Sequence, residues 1–135
     1  MYLADLTPVE LASVSYGTAP AKADSVSWEH PITERIQYCD SNKTVFLSYD
    51  LNRKWRRFVT DVALDDQSHQ SSTMRVRVDA DGQTVFPQTA IGVGQSQHID
   101  IDISNVLRLN LSIAYLVPNG GYCNPVVWGD PLLQR

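Results

Sequence analysis

The chain has 135 residues, of which 43% are hydrophobic and 19% charged, with a formal net charge of −4. That is one globular domain, spanning 1–135, with enough chain to bury a core. Its acidic balance excludes nucleic acid as the main partner, because phosphate binding needs clustered Lys and Arg.

The predicted elements are strands, because period-two alternation dominates and no helical stripe of useful length occurs. Weak strands open the chain at "VELASV" (9–14) and "PITERIQY" (31–38), with "SVSWEH" (25–30) between them reading as loop. "TVFLSYDL" (44–51) puts Val45, Leu47, Tyr49 and Leu51 on one face. The basic run "RKWRRF" (53–58) reads as a solvated turn leading into "FVTDVAL" (58–64). "TMRVRVD" (73–79) alternates Met74, Val76 and Val78 against Arg75, Arg77 and Asp79. Asp81-Gly82 then marks a hairpin turn, with "QTVFP" (83–87) returning. "HIDIDI" (98–103) and "VLRLNLSIAYL" (106–116) are two more alternating strands, and "VVWGDPLL" (126–133) is the last. About eight or nine strands at this spacing predict an all-β jelly-roll sandwich.

Two features of the ends of these strands bear on stability. Cys39 and Cys123 are too few and too far apart for a zinc site. They are either two separate thiols or one disulfide joining the middle of the chain to its end. Their loop-like contexts, "QYCDSN" and "GGYCNP", favour the bridge. Such a bridge would contribute roughly 4–5 kcal/mol by closing a long loop, and it fits an extracytoplasmic setting. In the last strand, Val126 and Trp128 share a face while Val127 opposes them, so burial on both sides is expected. Trp128 is therefore read as a core plug rather than a sugar platform, with Gly129-Asp130-Pro131 bending or ending the strand.

Aromatics outside the core phase and clusters of polar side chains are the candidate binding residues. That combination would suit, among other ligands, a sugar, with an aromatic face for the ring and fixed polar groups for the hydroxyls. The aromatics outside clear inward positions are Trp28, Tyr38, Trp55 and Tyr122. Trp28 and His30, flanking Glu29, offer a stacking ring and an imidazole within three residues. "LDDQSHQSS" (64–72) offers Asp65, Asp66 and Ser68, which could read sugar hydroxyls or, through Asp65 and Asp66, hold calcium. The bland reading is a polar loop whose Asp side chains bond neighbouring backbone N–H groups. His98, Asp100 and Asp102 share one strand face at spacings too wide to converge on a metal, so a solvated face is expected. Nucleophile elbow, phosphate loop and His-Glu-x-x-His motifs are missing, and no carboxylate pair is singled out for glycoside hydrolysis. The sequons at Asn42 and Asn110 are read as chance matches.

Taken in order, "LADLTPVE", "SYDLNRKWRRFVTDVALDDQS", "VRVDADGQTVF", "IDIDISNVLRLNLSI" and "VVWGDPLL" resemble the NPCBM family of carbohydrate-binding modules. The resemblance implies a galactose-binding-like β-sandwich. Its members occur beside glycoside hydrolases and in extracytoplasmic regions of bacterial membrane and signalling proteins. Hydrolase-linked members carry a Gly-Ile-x-x-His stretch before the "YDL" strand, whereas this chain has a single histidine there, His30. The resemblance also makes the "VVWGDPLL" motif a landmark of the last strand.

The expected function is a non-catalytic module that binds a glycan or cell-wall carbohydrate outside the cytoplasm. No cofactor is required, and calcium is the candidate ion. The opening "MYLADLTP" and closing "LLQR" suggest a domain excised from a longer bacterial protein. No stretch approaches the roughly 20 apolar residues of a membrane-spanning helix, so no membrane insertion is expected within this segment. There is also no basic region followed by an apolar one of signal-peptide type. The alternative is an extracytoplasmic sensor or protein-interaction domain that keeps the sandwich without a sugar pocket.

Overall fold

The computed structural model describes residues 1–37, 44–68, 73–115 and 124–135. Twelve strands run through them: β1 (Glu10–Ala12), β2 (Val14–Gly17), β3 (Ala21–Ala23), β4 (Val26–Trp28), β5 (Ile32–Ile36) and β6 (Thr44–Asp50), then β7 (Arg57–Leu64), β8 (Thr73–Ala80), β9 (Gln83–Gly92), β10 (Ser96–Asp102), β11 (Arg108–Tyr115) and β12 (Val126–Gln134). Two antiparallel five-stranded sheets, ordered β1-β6-β11-β8-β9 and β10-β7-β12-β5-β2, enclose the core, and β3-β4 forms a separate hairpin. This is the expected all-β sandwich.

The strand count exceeds the eight or nine read from the sequence, and the excess lies before residue 30. "VELASV" is two strands, not one. Ser13, at φ 57°, turns the chain between them. Thus β1 pairs with β6 in one sheet and β2 with β5 in the other. The supposed loop around Trp28 is the β3–β4 hairpin. Strands of three or four residues are too short for alternation to register.

Elsewhere the alternation marks the faces correctly. The inward positions of β8 (Met74, Val76, Val78) and β11 (Leu109, Leu111, Ile113) join the main core with Leu47, Tyr49 and Phe58. Asp81 (φ 50°) and Gly82 (φ 81°) make the β8–β9 turn, and the Asp81 carboxylate also accepts the Leu107 and Arg108 N–H groups. On the outer face of β10, His98 and Asp100 pair across to β7: His98 Nδ1 lies 2.8 Å from Asp61 Oδ1, and Arg57 donates to Asp100. His98 and Asp100 thus form cross-strand pairs, while Asp102 Oδ1 accepts the Ser104 N–H at 2.7 Å, as on a solvated face. Asn110 sits mid-strand in β11 between β6 and β8. Cys39, Cys123, Tyr38, Tyr122 and Asn42 lie outside the described residues.

Trp128 is fully buried, as a core plug should be. Gly129-Asp130-Pro131 bends β12 without ending it. The register against β7 shifts between Gly129 and Leu132, and Asp130 takes φ 39°. A bulge tolerates Pro131 because no ladder bond is asked of it there. Thr60 Oγ1, itself buried, donates to the Gly129 carbonyl at 2.9 Å and satisfies the distorted backbone.

The same indole explains an ionisable residue in the interior. Glu34 faces inward on β5 between Ile32 and Ile36 and is fully buried. Trp128 Nε1 donates to its Oε1 at 2.6 Å. Glu34 Oε2 and the Tyr49 hydroxyl are buried with no hydrogen-bond partner. Burial pushes the Glu34 carboxyl well above the usual carboxylate range, against the smaller opposing effect of the Trp128 hydrogen bond. Burial, followed by the nearby Glu34 and Tyr16, likewise raises the Tyr49 phenol.

A carboxyl whose pKa is higher folded than unfolded binds its proton more tightly in the folded state. Stability is then greatest below the ordinary value of 4.5 and falls as pH rises through the interval up to the folded pKa. Thermal unfolding across that interval should show the decline, and Glu34→Gln should flatten it while keeping an acceptor for Trp128. A Glu34→Gln protein that melts with an unchanged pH slope would show that Glu34 is not the group responsible.

Candidate functional site

The β3–β4 hairpin is held against the outer face of the β10-β7-β12-β5-β2 sheet by Trp28. Residues alternate sides along β12, so Trp128 points inward while Val127 and Gly129 point outward. Trp28 packs with Ala21 against a small outer cluster of Ala23, Ala63 and Val127. Its indole also lies directly on Gly129. A Cβ added at Gly129 would stand 2.5 Å from Trp28 Cδ2 and Cε2. Only glycine leaves that space.

The hairpin's other end is pinned by Asp66. Its two-residue turn places both Asp24 (φ 49°) and Ser25 (φ 60°) in the left-handed region. Neither is glycine, and each costs roughly 1–2 kcal/mol there. The Ser25 N–H compensates by donating to both oxygens of Asp66, at 3.2 Å each. The Asp66 N–H donates to the Lys22 carbonyl, and Ala23 bridges Asp65.

Between the hairpin and strands β2 and β5 lies a cavity of about 480 Å³, within the roughly 300–1,000 Å³ typical of ligand clefts. Ser15, Thr33 and Arg35 line it from the sheet, Lys22 from the hairpin, and Asp65, Asp66 and Gln67 from the segment after β7. Ser15 and Arg35 are cross-strand partners, so their side chains share one face.

The residues singled out from the sequence divide between this cavity and the scaffold. Asp65 and Asp66 line it. Asp65 Oδ1 accepts the Gln67 N–H at 2.8 Å, which is the polar-loop role weighed for it above. Trp28, His30 and Ser68 do not line it. The half-buried Trp28 is committed to Gly129. The exposed His30 stacks on Tyr2 with ring centroids 4.2 Å apart, and its N–H donates to Asp130 Oδ1 at 2.7 Å. Ser68 donates its N–H to the Asp65 carbonyl at 2.9 Å, and its hydroxyl is buried without a partner. Trp55 packs against the main core with the Arg135 guanidinium 5.1 Å over its ring. Among the described residues no group of three His, Cys, Asp or Glu side chains is placed to hold a metal ion. Gln67 belongs to the polar segment singled out from the sequence, whereas Ser15, Tyr16, Lys22, Thr33 and Arg35 were not singled out. Only the outward phase of Thr33 and Arg35 in "PITERIQY" signalled two of them.

The chain matches the NPCBM/NEW2 domain over residues 1–134. It belongs to the NPCBM/NEW2 family. Among solved structures it is similar to CBM51 from Clostridium perfringens GH95, determined in complex with methyl-galactose. That pair superposes with TM-score 0.76 at 17% identity and covers 99% of each chain. It is also similar to CBM51-2 of C. perfringens ZmpB, determined with GlcNAc and with the INT domains, at TM-score 0.73 and 17% identity. There it covers 98% of this chain and 30% of the other. A larger ZmpB structure, holding the M60 catalytic domain with two CBM51 domains, matches at TM-score 0.74 and 18% identity over 15% of its length. No protein of curated function matches the chain. At these identities the structural likeness establishes the fold, a carbohydrate-binding-module sandwich, while family membership rests on the match along the chain itself. The family is one of binding modules rather than enzymes, in keeping with the missing catalytic motifs.

In this NPCBM/NEW2 domain, Gly129→Ala should cost about 1–3 kcal/mol by overpacking a rigid ring. Denaturant unfolding should show most of that cost vanish in a Trp28→Ala background. Asp66→Ala should destabilise the domain by about 1–2 kcal/mol as the strained turn loses its acceptor, with Ser25→Gly restoring part of the loss. Equal losses with and without Ser25→Gly would show that Asp66 does not act through the turn.

Proposed function

We propose that this domain is a non-catalytic glycan-binding module, displayed outside the cytoplasm as part of a larger bacterial protein, and that it binds in the cavity between the β3–β4 hairpin and β2–β5. The observation that carries this reading is the cavity itself. It is about 480 Å³ in volume, lined by hydroxyl, amide and charged side chains together with Tyr16, Pro20 and alanines, on the fold of a carbohydrate-binding-module family. Similar CBM51 structures hold methyl-galactose and GlcNAc. The polar groups of this mixed lining suit a ligand rich in hydroxyls, and its apolar part suits the C–H face of a ring. A cleft open to water gains modest affinity for any one sugar.

The aromatic arrangement favours a second reading. Trp28, the best stacking ring in the sequence, is spent on Gly129, as a protein-interaction or sensor domain without a sugar pocket would allow. A glycan array followed by calorimetry, with and without calcium, separates the two. The binding-module reading expects saturable binding of at least one bacterial or host glycan, weakened by Thr33→Ala or Gln67→Ala. No binding to any glycan would leave the protein-interaction reading in its place.

A further inference from the structure

We propose that the cavity is selective for an acidic sugar, one whose carboxylate is received by Arg35 with Lys22 as a second cation. This deepens the glycan-binding reading and rests on it. Four charged residues line the cavity, two of each sign, but their hydrogen-bonding capacity is unevenly committed. On the acidic side, Asp66 receives the Ser25 N–H on both oxygens and Asp65 receives the Gln67 N–H. These carboxylates hold the hairpin turn and the loop after β7. On the basic side, the ion pairs among the described residues are Arg57–Asp100, Arg77–Asp79 and His98–Asp61. None includes Arg35 or Lys22. The cavity therefore presents a guanidinium and an ammonium with no ion-pair partner among the described residues, beside carboxylates already engaged by backbone N–H groups.

Position strengthens the case for Arg35. It projects from the outer face of β5, with the Ser15 hydroxyl directly across on β2 and Thr33 two residues away on the same face. A guanidinium offers a planar fork that matches a carboxylate bidentately, which an ammonium cannot do. Flanking hydroxyls are then placed to meet the ring oxygens of the same sugar. A neutral sugar would leave that fork with only the single, weaker acceptors of its hydroxyls. A uronate or sialate would fill it.

The test is calorimetry on glucuronate- and sialate-terminated oligosaccharides, each against its neutral counterpart, with 6-sulfated sugars as a third arm. The acidic members should bind more tightly, and the preference should shrink with added salt. Arg35→Gln should reduce acidic binding about tenfold, the value of a hydrogen bond to a charged group, while melting at the wild-type temperature. Arg75→Gln, on the opposite sheet, should leave it unchanged. Equal affinity for neutral and acidic partners, or an Arg35→Gln protein that binds uronates as well as wild type, would overturn the acidic assignment and leave glycan binding standing. A preference for sulfated over carboxylated sugars would overturn the carboxylate assignment alone. Absence of binding to every glycan would instead remove the reading beneath it.

Discussion

Strand β12 has to bury one indole on its inner face and admit another on its outer face one residue later. Trp128 fills the sandwich, and Gly129 leaves its outer side bare for Trp28. Because successive side chains in a strand point to opposite faces, a single dipeptide serves two packed layers at once. The main core depends on the first contact. The hairpin, and with it one wall of the cavity, depends on the second. The bulge that follows then sets Asp130 under the His30 N–H, so the segment leading into β5 is tied to the same strand.

Burying Trp128 brings its own difficulty, since an indole N–H needs an acceptor when removed from water. The chain supplies a carboxyl, Glu34, at an inward position between two isoleucines. An ionised carboxylate would be costly there, and burial favours its protonated form. Neighbouring Tyr49 shares the same apolar surroundings and is pushed the same way. The interior therefore contains a small polar cluster whose state follows from desolvation more than from pairing.

Side chains that look like ligand contacts in the sequence are largely engaged by the scaffold, and of them Asp65 and Asp66 also line the cavity. Trp28 clamps the hairpin, His30 stacks on Tyr2, and Asp66 relieves a turn made of two non-glycine residues in left-handed backbone. What they leave free is a cavity whose uncommitted groups are Arg35, Lys22 and a set of hydroxyls and amides. The chemistry of the opening is set by the residues the scaffold did not need.

The sequence by itself determined the long strands, the Asp81-Gly82 turn, the inward plug at Trp128 and the family. Each is written locally, in two-residue alternation, in turn chemistry, or in the order of motifs along the chain. Glu34 was also visible in principle, as a charge in the apolar phase of "PITERIQY". The tertiary structure alone decided how the region before residue 30 splits between two sheets and a hairpin, and which polar residues meet around the cavity. Three-residue strands carry too little periodicity to be read. The cavity joins β2, β5, the hairpin and the segment after β7, bringing residues as distant in the chain as Ser15 and Gln67 together only when the sheet is assembled around β12.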